Sequence, residues 1–460
     1  MKIALIGGGS VRTPALAYAL AGHWAHLPVT ELALYDIDAR RQAMTGLVTA
    51  RLLEGADAGF RLVMADCPEA AIDGARFVIV SVRVGGQQAR ALDERIALDH
   101  GCIGQETTGP AGLAYALRSI PVVQHYAGLA GRLAPQAWLI NFTNPAGLVS
   151  QALGAVSPVP VVGVCDSPQV IAGQIARATN LPEVELDWRY SGLNHLGWVT
   201  SVRYRGHEIL PALIADEAAL QRLVAGDLVP AGLVRHLGVV PNEYCYYYYY
   251  REQALQRQQA AAESRGEFLA RLDERLRADM ARLDPADGED VLACYGRYLQ
   301  AREESYLAVE RQAPRSLPSQ SHRQRILSGG EGYAGTAFKV IAGLCGLGPQ
   351  RAVLNVPNYG QIVPGLDDED VIETLCEITD EGIQPLPGPP LARESLALLQ
   401  VVKSYEHLAA GAALRGSRQL AVRALVHHPL VASLPLAEKL VDAYLVRHCD
   451  YLPRFVKANP

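Results

Sequence analysis

The 460-residue chain predicts an α/β fold, with a doubly wound parallel sheet over residues 1–185 and a mixed, mostly helical α+β region over residues 186–460. Three observations carry this expectation. The apolar run KIALI (residues 2–6) leads directly into Gly7, Gly8, Gly9 and Ser10, and a helical pattern follows from Thr13. Further short apolar runs then alternate with helix-like segments as far as Cys165, which is the rhythm of βαβ units. Beyond residue 186 the pattern changes to two-residue alternation and then to long amphipathic stretches. The first half is therefore expected to be Rossmann-like, with the second half folded against it, since no clear linker separates them.

Composition narrows the function. Hydrophobic residues make up 49% and charged residues 20%, which suits a soluble globular enzyme. The net charge of −6 and the lack of a basic run argue against a nucleic-acid partner. No apolar stretch is long enough to span a bilayer, and MKIALIGGGS reads as a first strand rather than a secretory signal. Eight scattered cysteines suit free thiols in a reducing cytoplasm.

Strand, glycine turn and helix start form an arrangement that binds a pyrophosphate. The helix N-terminus contributes N–H groups and a positive dipole, and glycines allow close approach. A second strand ends in Tyr35-Asp36, where an acidic side chain would hold an adenosine ribose and favour NAD over NADP. The third glycine of the usual fingerprint falls at Arg12, so helix and strand are expected to pack less closely there. RLVMADC and FVIVSV read as strands three and four, and Arg83 lies in the turn after the fourth. Next come a polar helix with Arg90, Asp93 and Glu94, a polar loop from Gly104 to Gly112, and strands ending at Asn141 and Cys165. Polar residues gather at these strand ends: Asn141, Thr143, Asn144, Cys165 and Asp166. Open α/β sheets place ligands there.

Cys165 and His195 make half of a transition-metal site, a thiolate and an imidazole. On the residues alone, a buried structural cysteine and a satisfied histidine explain the pair better. Residues 186–206 look antiparallel. The segment 241–252 holds six tyrosines, more than one helix face can carry, so some must meet solvent, another lobe or a partner. Amphipathic helices are expected over 252–313, a mobile loop over 314–330, a small-residue helix from Gly332, strands around 352–386 and helices over 392–448.

Nine stretches, taken together and in order, resemble the NAD- and metal-dependent glycoside hydrolases of family 4. They are IGGGSVRTP, LYDID, GCIGQETTGPAGLAYALRSIP, INFTNPAG, VGVCDSP, GLNHLGW, PNEYCYYYY, LNVPNYG and the helical KSYEHLAAGAALRGSRQLAVRALVHHPL. The resemblance implies a glycosidase outside the usual two-carboxylate scheme. NAD would oxidise the sugar's C3 hydroxyl transiently, which acidifies the C2 proton. A base removes that proton, the aglycone is eliminated, water adds, and C3 is reduced again. A divalent cation, manganese by resemblance, would bind the C2 and C3 oxygens.

The resemblance also assigns residues. Gly7, Gly8, Gly9, Ser10, Asp36, Arg83 and Asn141 fall on the NAD side, and Cys165 and His195 match the two protein metal ligands. Tyr244 matches the C2 base, with Tyr246 and Tyr247 as neighbouring alternatives. Arg265 aligns with the arginine that contacts the 6-phosphate, although a solvated helix arginine reads as well from sequence. Arg90, Asn144 and Asn194 are expected around the sugar, and Gln105, Glu106 and Thr107 near the metal and nicotinamide. Asn355 and Asn358 are expected on the aglycone or oligomer side.

Asp166 would be the acid for the leaving group. The residue after the metal-binding cysteine is Asp in similar 6-phospho-α-glucosidases and often Asn in the β-acting group. The Thr107-Thr108 pair, in contrast, looks like the β-acting group. The expected activity is 6-phospho-β-glucosidase, with 6-phospho-α-glucosidase or α-galactosidase as alternatives within the family. A hydroxy-acid or sugar dehydrogenase and a catalytically inactive NAD-responsive protein are the readings outside it. Resembling enzymes are dimers or tetramers, so a cytoplasmic homodimer or homotetramer acting on a small (phospho)glycoside is expected.

Overall fold

In the computed structural model, which describes residues 1–22, 27–54, 56, 58–225, 228–328 and 332–456, the first apolar run is strand β1 (Lys2–Ile6). Its residues alternate between two cores, Ile3 and Leu5 on one face and Ala4 and Ile6 on the other. Burial on both faces explains why the run is uniformly apolar. Strands β2 (Glu31–Tyr35), β3 (Arg61–Met64), β4 (Ala75–Val80), β5 (Trp138–Asn141) and β6 (Val161–Gly163) follow. They pair in parallel in the order β3-β2-β1-β4-β5-β6. Strand order reverses between β1 and β4, the switch point where doubly wound sheets bind ligands.

The same sheet continues beyond residue 185. Strands β7 (Leu186–Leu193), β8 (Leu196–Tyr204), β9 (His207–Glu208), β10 (Val240–Pro241), β11 (Gln350–Pro357), β12 (Val371–Thr379) and β13 (Gly382–Pro385) are all antiparallel to their neighbours. β11 joins the parallel half through Asn355 opposite Gly163 of β6. One continuous sheet therefore carries the ends of β1, β4, β5 and β6 and the β7–β8 turn at His195.

Helices cover both faces. Thr13–Ala21 and Tyr333–Leu344 pack on one, and Gly109–Leu133, Ala146–Gly154 and Arg393–Arg415 on the other. No helix among the described residues is long and apolar enough to cross a membrane. The tyrosine run is mostly absorbed within the chain. Tyr244, Tyr246 and Tyr247 are buried, and Tyr248, Tyr249 and Tyr250 are half-buried against the same cores.

The expected loop over 314–330 needs correction. It is irregular only to residue 321, and His322–Ser328 is a helix. Ile326 is buried there with Val291, Tyr295 and Leu299, and that burial holds the segment helical. Positions 329 and 330 lie outside the described residues.

Candidate active site

The glycine turn is built by close packing. Gly7 has φ +86°, and a Cβ there would lie 2.2 Å from the Ser81 carbonyl oxygen, next to β4. Only glycine fits both demands. The amides of Gly7 and Gly8 donate to the Tyr35 carbonyl at 2.8 Å, and that of Gly9 donates to Asp36 Oδ2 at 2.9 Å. The glycine N–H groups thus shape the turn. What the turn offers a dinucleotide is a crest without side chains at the start of the Thr13–Ala21 helix. Ser10 Oγ lies 3.1 Å from Ser81 Oγ. Asp36 stands at the carboxyl end of β2, its Oδ1 accepting from the Asp38 amide at 2.9 Å. Each carboxylate oxygen keeps a further acceptor position. Arg12, at the third-glycine position, packs its guanidinium 3.6 Å from the Tyr333 ring centroid.

Past β4 lies a chain of buried ion pairs. Arg83 Nη1 meets Glu106 Oε2 at 2.6 Å, Arg90 Nη1 meets Glu106 Oε1 at 3.0 Å, and Arg90 Nε donates to Glu94 Oε1 at 2.7 Å. Burial pushes the Glu106 carboxyl up, but the Arg83 and Arg90 charges outweigh it and hold it far below the carboxylate range. Arg265 donates to Ser305 Oγ at 2.9 Å and to the Arg302 carbonyl at 3.1 Å. Burial, with Arg90 and Arg302 nearby, lowers its pKa to about 10. Arg302 Nη1 is buried without a protein partner. Arg90, Ser264, Arg265 and Ser305 line one recess. The recess is also lined by Glu94, Glu263 and Glu310. Glu94 is paired with Arg90 and Glu263 with Arg271, whereas Arg265 bonds neutral oxygens and is left able to bind an anionic group.

The next groups come together around His195, held at φ +65° in the β7–β8 turn. Thr107 donates its hydroxyl proton to Gln105 Oε1 at 2.8 Å, so its oxygen accepts from His195 Nδ1 at 2.7 Å. That fixes the proton on Nδ1 and turns the Nε2 lone pair toward Cys165 Sγ, 3.5 Å away. Burial lowers the His195 pKa to about 3, which keeps the ring neutral, as a metal ligand must be. Two donors at this separation fit one ion bound at roughly 2.0–2.3 Å from each. Among the described residues no group of three or more His, Cys, Asp or Glu side chains could hold a metal, so Cys165 and His195 stand as a pair. Burial, and then the Glu373 and Asp166 charges, raises the Cys165 thiol.

Tyr244 lies flat on His195, with ring centroids 3.7 Å apart and planes within 4°. Asn242 caps its turn by accepting from the Tyr244 amide at 3.0 Å. Tyr246 and Tyr247, the alternatives, bond instead with Arg257 and Glu310. Asp166 opens to solvent but is recessed among protein atoms. That desolvation raises its pKa although Arg12, Arg302 and Arg315 pull it down.

Other predicted residues are placed differently. Asn141 is fully buried and folds onto its own turn, bonding the Thr143 backbone at 3.0 and 3.1 Å. Asn194 Nδ2 donates to Glu373 Oε1 at 2.9 Å and its Oδ1 accepts from the Gly147 amide at 3.3 Å, so it braces the site from behind. Asn144 Oδ1 is buried and has no protein partner. Asn355 and Asn358 are buried inside the chain, at 1% and 0% exposure, rather than on an open surface. Asn355 donates to buried Glu373, and Asn358 satisfies the backbone of the loop at Val363, Leu366 and Asp367. Sequence reasoning missed Arg302, Tyr306 and Glu373, which carry no local motif, and Glu243, which lies beside Tyr244 inside PNEYCYYYY.

Comparison with known proteins accounts for this constellation. The model of the Family 4 glycosyl hydrolase matches residues 2–181, and that of the family's C-terminal domain matches residues 190–431. The chain belongs to glycosyl hydrolase family 4. It is 31% identical, over 99% of its length and 98% of the relative's, to a probable 6-phospho-β-glucosidase of Bacillus subtilis (strain 168). It is 38% identical to 6-phospho-α-glucosidase 1 of Lacticaseibacillus paracasei over 46% of this chain and 49% of that one. The structure of the Thermotoga maritima 6-phospho-β-glucosidase with manganese, NAD+ and glucose-6-phosphate superposes with a TM-score of 0.80 at 26% identity, covering 98% of this chain and 99% of that one. This family 4 member is thus a glycoside hydrolase, and its relatives include enzymes of both anomeric preferences.

Proposed function

We propose that this family 4 enzyme is a 6-phospho-β-glucosidase that uses NAD and a divalent cation, manganese by preference. The observation that carries this reading is the position of His195, whose Nε2 faces the Cys165 sulfur while its ring face covers Tyr244. Metal donors and a candidate base are therefore parts of one unit. The Thermotoga maritima relative, bound to manganese, NAD+ and glucose-6-phosphate, supports the cofactor assignment.

In this reading the Gly7–Ser10 turn and Asp36 hold the dinucleotide, and Cys165 and His195 hold the cation. When bound, these groups supply a reversible hydride acceptor for C3 and Lewis acidity at the C2 and C3 oxygens. Tyr244 takes the C2 proton as the general base. The electron pair left at C2 expels the aglycone from C1, and Asp166 gives its proton to the departing oxygen. Water then adds at C1 and gives its proton to the Asp166 carboxylate, a proton returns to C2 from Tyr244, and return of the hydride to C3 would complete the cycle. Arg265 and Arg302, with Arg90 behind them, hold the 6-phosphate. Arg83 contributes by holding Glu106 beside the nicotinamide side, and Asn144 is left with an open acceptor for a sugar hydroxyl.

A second reading, 6-phospho-α-glucosidase, is favoured by Asp166 and by the 38% identity to the α-acting relative. Elimination from a C2 carbanion does not require one particular anomer. The test is a panel of nitrophenyl α- and β-glucosides, with and without 6-phosphate, assayed with NAD and manganese. The β 6-phosphate should be cleaved with the highest kcat/KM. A preference for the α 6-phosphate would establish the second reading instead.

A further inference from the structure

Tyr306 follows the helix Gly288–Glu304 and reaches back into the active site. Its hydroxyl donates to Glu243 Oε1 at 2.5 Å and lies 3.0 Å from the Tyr244 hydroxyl. Glu243 is anchored from two other sides. Its Oε1 accepts from Ser167 Oγ at 3.2 Å, and its Oε2 lies 3.7 Å from Arg311 Nη2. None of these contacts belongs to the metal, nicotinamide or phosphate sites described above, yet they end on the proposed base.

Hydrogen-bond arithmetic gives them a direction. A phenol has one proton and a carboxylate only accepts. The Tyr306 proton is committed to Glu243, so toward Tyr244 the Tyr306 oxygen can offer only a lone pair. With that proton donated to Glu243, the 3.0 Å contact is a hydrogen bond when the Tyr244 O–H donates it to Tyr306. Its ring cannot turn away, because it is buried and stacked on His195. Resting on the reading of Tyr244 as the C2 base, we propose that Tyr306 and Glu243 are positioning residues that draw the Tyr244 proton away from the sugar, so that as Tyr244 takes the C2 proton its own proton passes to the Tyr306 oxygen and the Tyr306 proton to the Glu243 carboxylate. The face of the Tyr306 ring also lies 5.3 Å from the Arg265 guanidinium. One side chain thus touches both the phosphate recess and the base.

Tyr306→Phe deletes the acceptor for the Tyr244 proton. Glu243→Gln supplies an amide donor that can turn the Tyr306 proton toward Tyr244 and reverse the polarity of the pair. The holoenzyme with NAD and manganese is assayed for kcat, KM, NAD affinity and exchange of the substrate C2 proton in deuterated solvent. Both variants should lose about tenfold or more in kcat and in C2 exchange, with KM and NAD affinity within about twofold of wild type. Glu243→Asp, which keeps the carboxylate, should recover part of the loss. Exchange at the wild-type rate in Tyr306→Phe and Glu243→Gln, with Tyr244→Phe abolishing it, would overturn the proposal and leave the base assignment standing. Normal exchange in Tyr244→Phe would overturn the base assignment and this proposal with it. A parallel collapse of NAD affinity and kcat in both variants would reduce the pair to a structural role and also overturn it.

Discussion

The imidazole of His195 and the phenol of Tyr244 lie face to face, 3.7 Å between centroids and 4° from parallel. The same imidazole points Nε2 at the Cys165 sulfur. A cation held by Cys165 and His195 would therefore sit next to the group proposed to take the C2 proton. A nearby positive charge stabilises a phenolate, and Tyr244 needs that help, because burial pushes its hydroxyl well above the ordinary tyrosine range.

Cys165→Ser should abolish manganese-dependent glycoside cleavage. An alcohol is a far poorer donor than a thiolate, while the buried pocket has room for the smaller oxygen. Activity assays with added manganese, paired with direct manganese titration, check this. Full activity in the variant would remove Cys165 from the metal site.

Arg265→Ala should raise KM for 6-phosphorylated substrates by about tenfold or more, as expected for loss of a charge-assisted pair. KM for unphosphorylated glucosides should change little. Steady-state kinetics on matched substrates decide the matter, and equal effects on both would remove Arg265 from phosphate recognition.

Much of this was legible before the structure. KIALI followed by three glycines and the Cys165, His195 and Tyr244 motifs are local patterns, and local patterns survive in sequence. The join between β6 and β11 was not legible, because Gly163 and Asn355 meet only after the whole helical region has folded. Asn355 and Asn358 were misread because asparagines near a strand end look like ligands. Here they bond buried polar groups inside the chain, the Glu373 carboxyl and the Val363 amide. Arg302 and Tyr306, at and just past the end of one helix, and Glu373, on β12, sit in none of the nine resembling stretches, and Glu243 lies inside PNEYCYYYY, where the tyrosines dominate the pattern.

Asp166→Asn should slow substrates with poor leaving groups much more than nitrophenyl substrates. A nitrophenolate departs without a proton, whereas an alkoxide needs one. The ratio of kcat/KM for nitrophenyl over methyl 6-phosphoglucoside should rise about tenfold or more in the variant. An unchanged ratio would mean that Asp166 does not protonate the aglycone.

Acid should destabilise the fold partly through His428. Burial lowers its pKa to about 3 from the usual 6.5, and its Nδ1 accepts from the Leu430 amide at 3.1 Å. Between those values the unfolded chain binds the proton and the folded chain does not, so stability falls as pH drops below 6.5. Glu373, raised to about 7 by burial, acts with the opposite sign between 4.5 and 7. The informative quantity is therefore the difference between variant and wild type. His428→Asn should flatten the fall in stability below pH 6.5 by up to about 1.4 kcal/mol per pH unit, measured by urea unfolding. An identical pH slope would show that His428 does not stay neutral in the fold.

The most direct test of the account is to follow aglycone release and NADH absorbance together, with a 6-phospho-β-glucoside, manganese and NAD. The account predicts many turnovers of aglycone per NAD with no accumulation of free NADH, because C3 is reduced again before product leaves. Stoichiometric NADH production alongside the aglycone would contradict it.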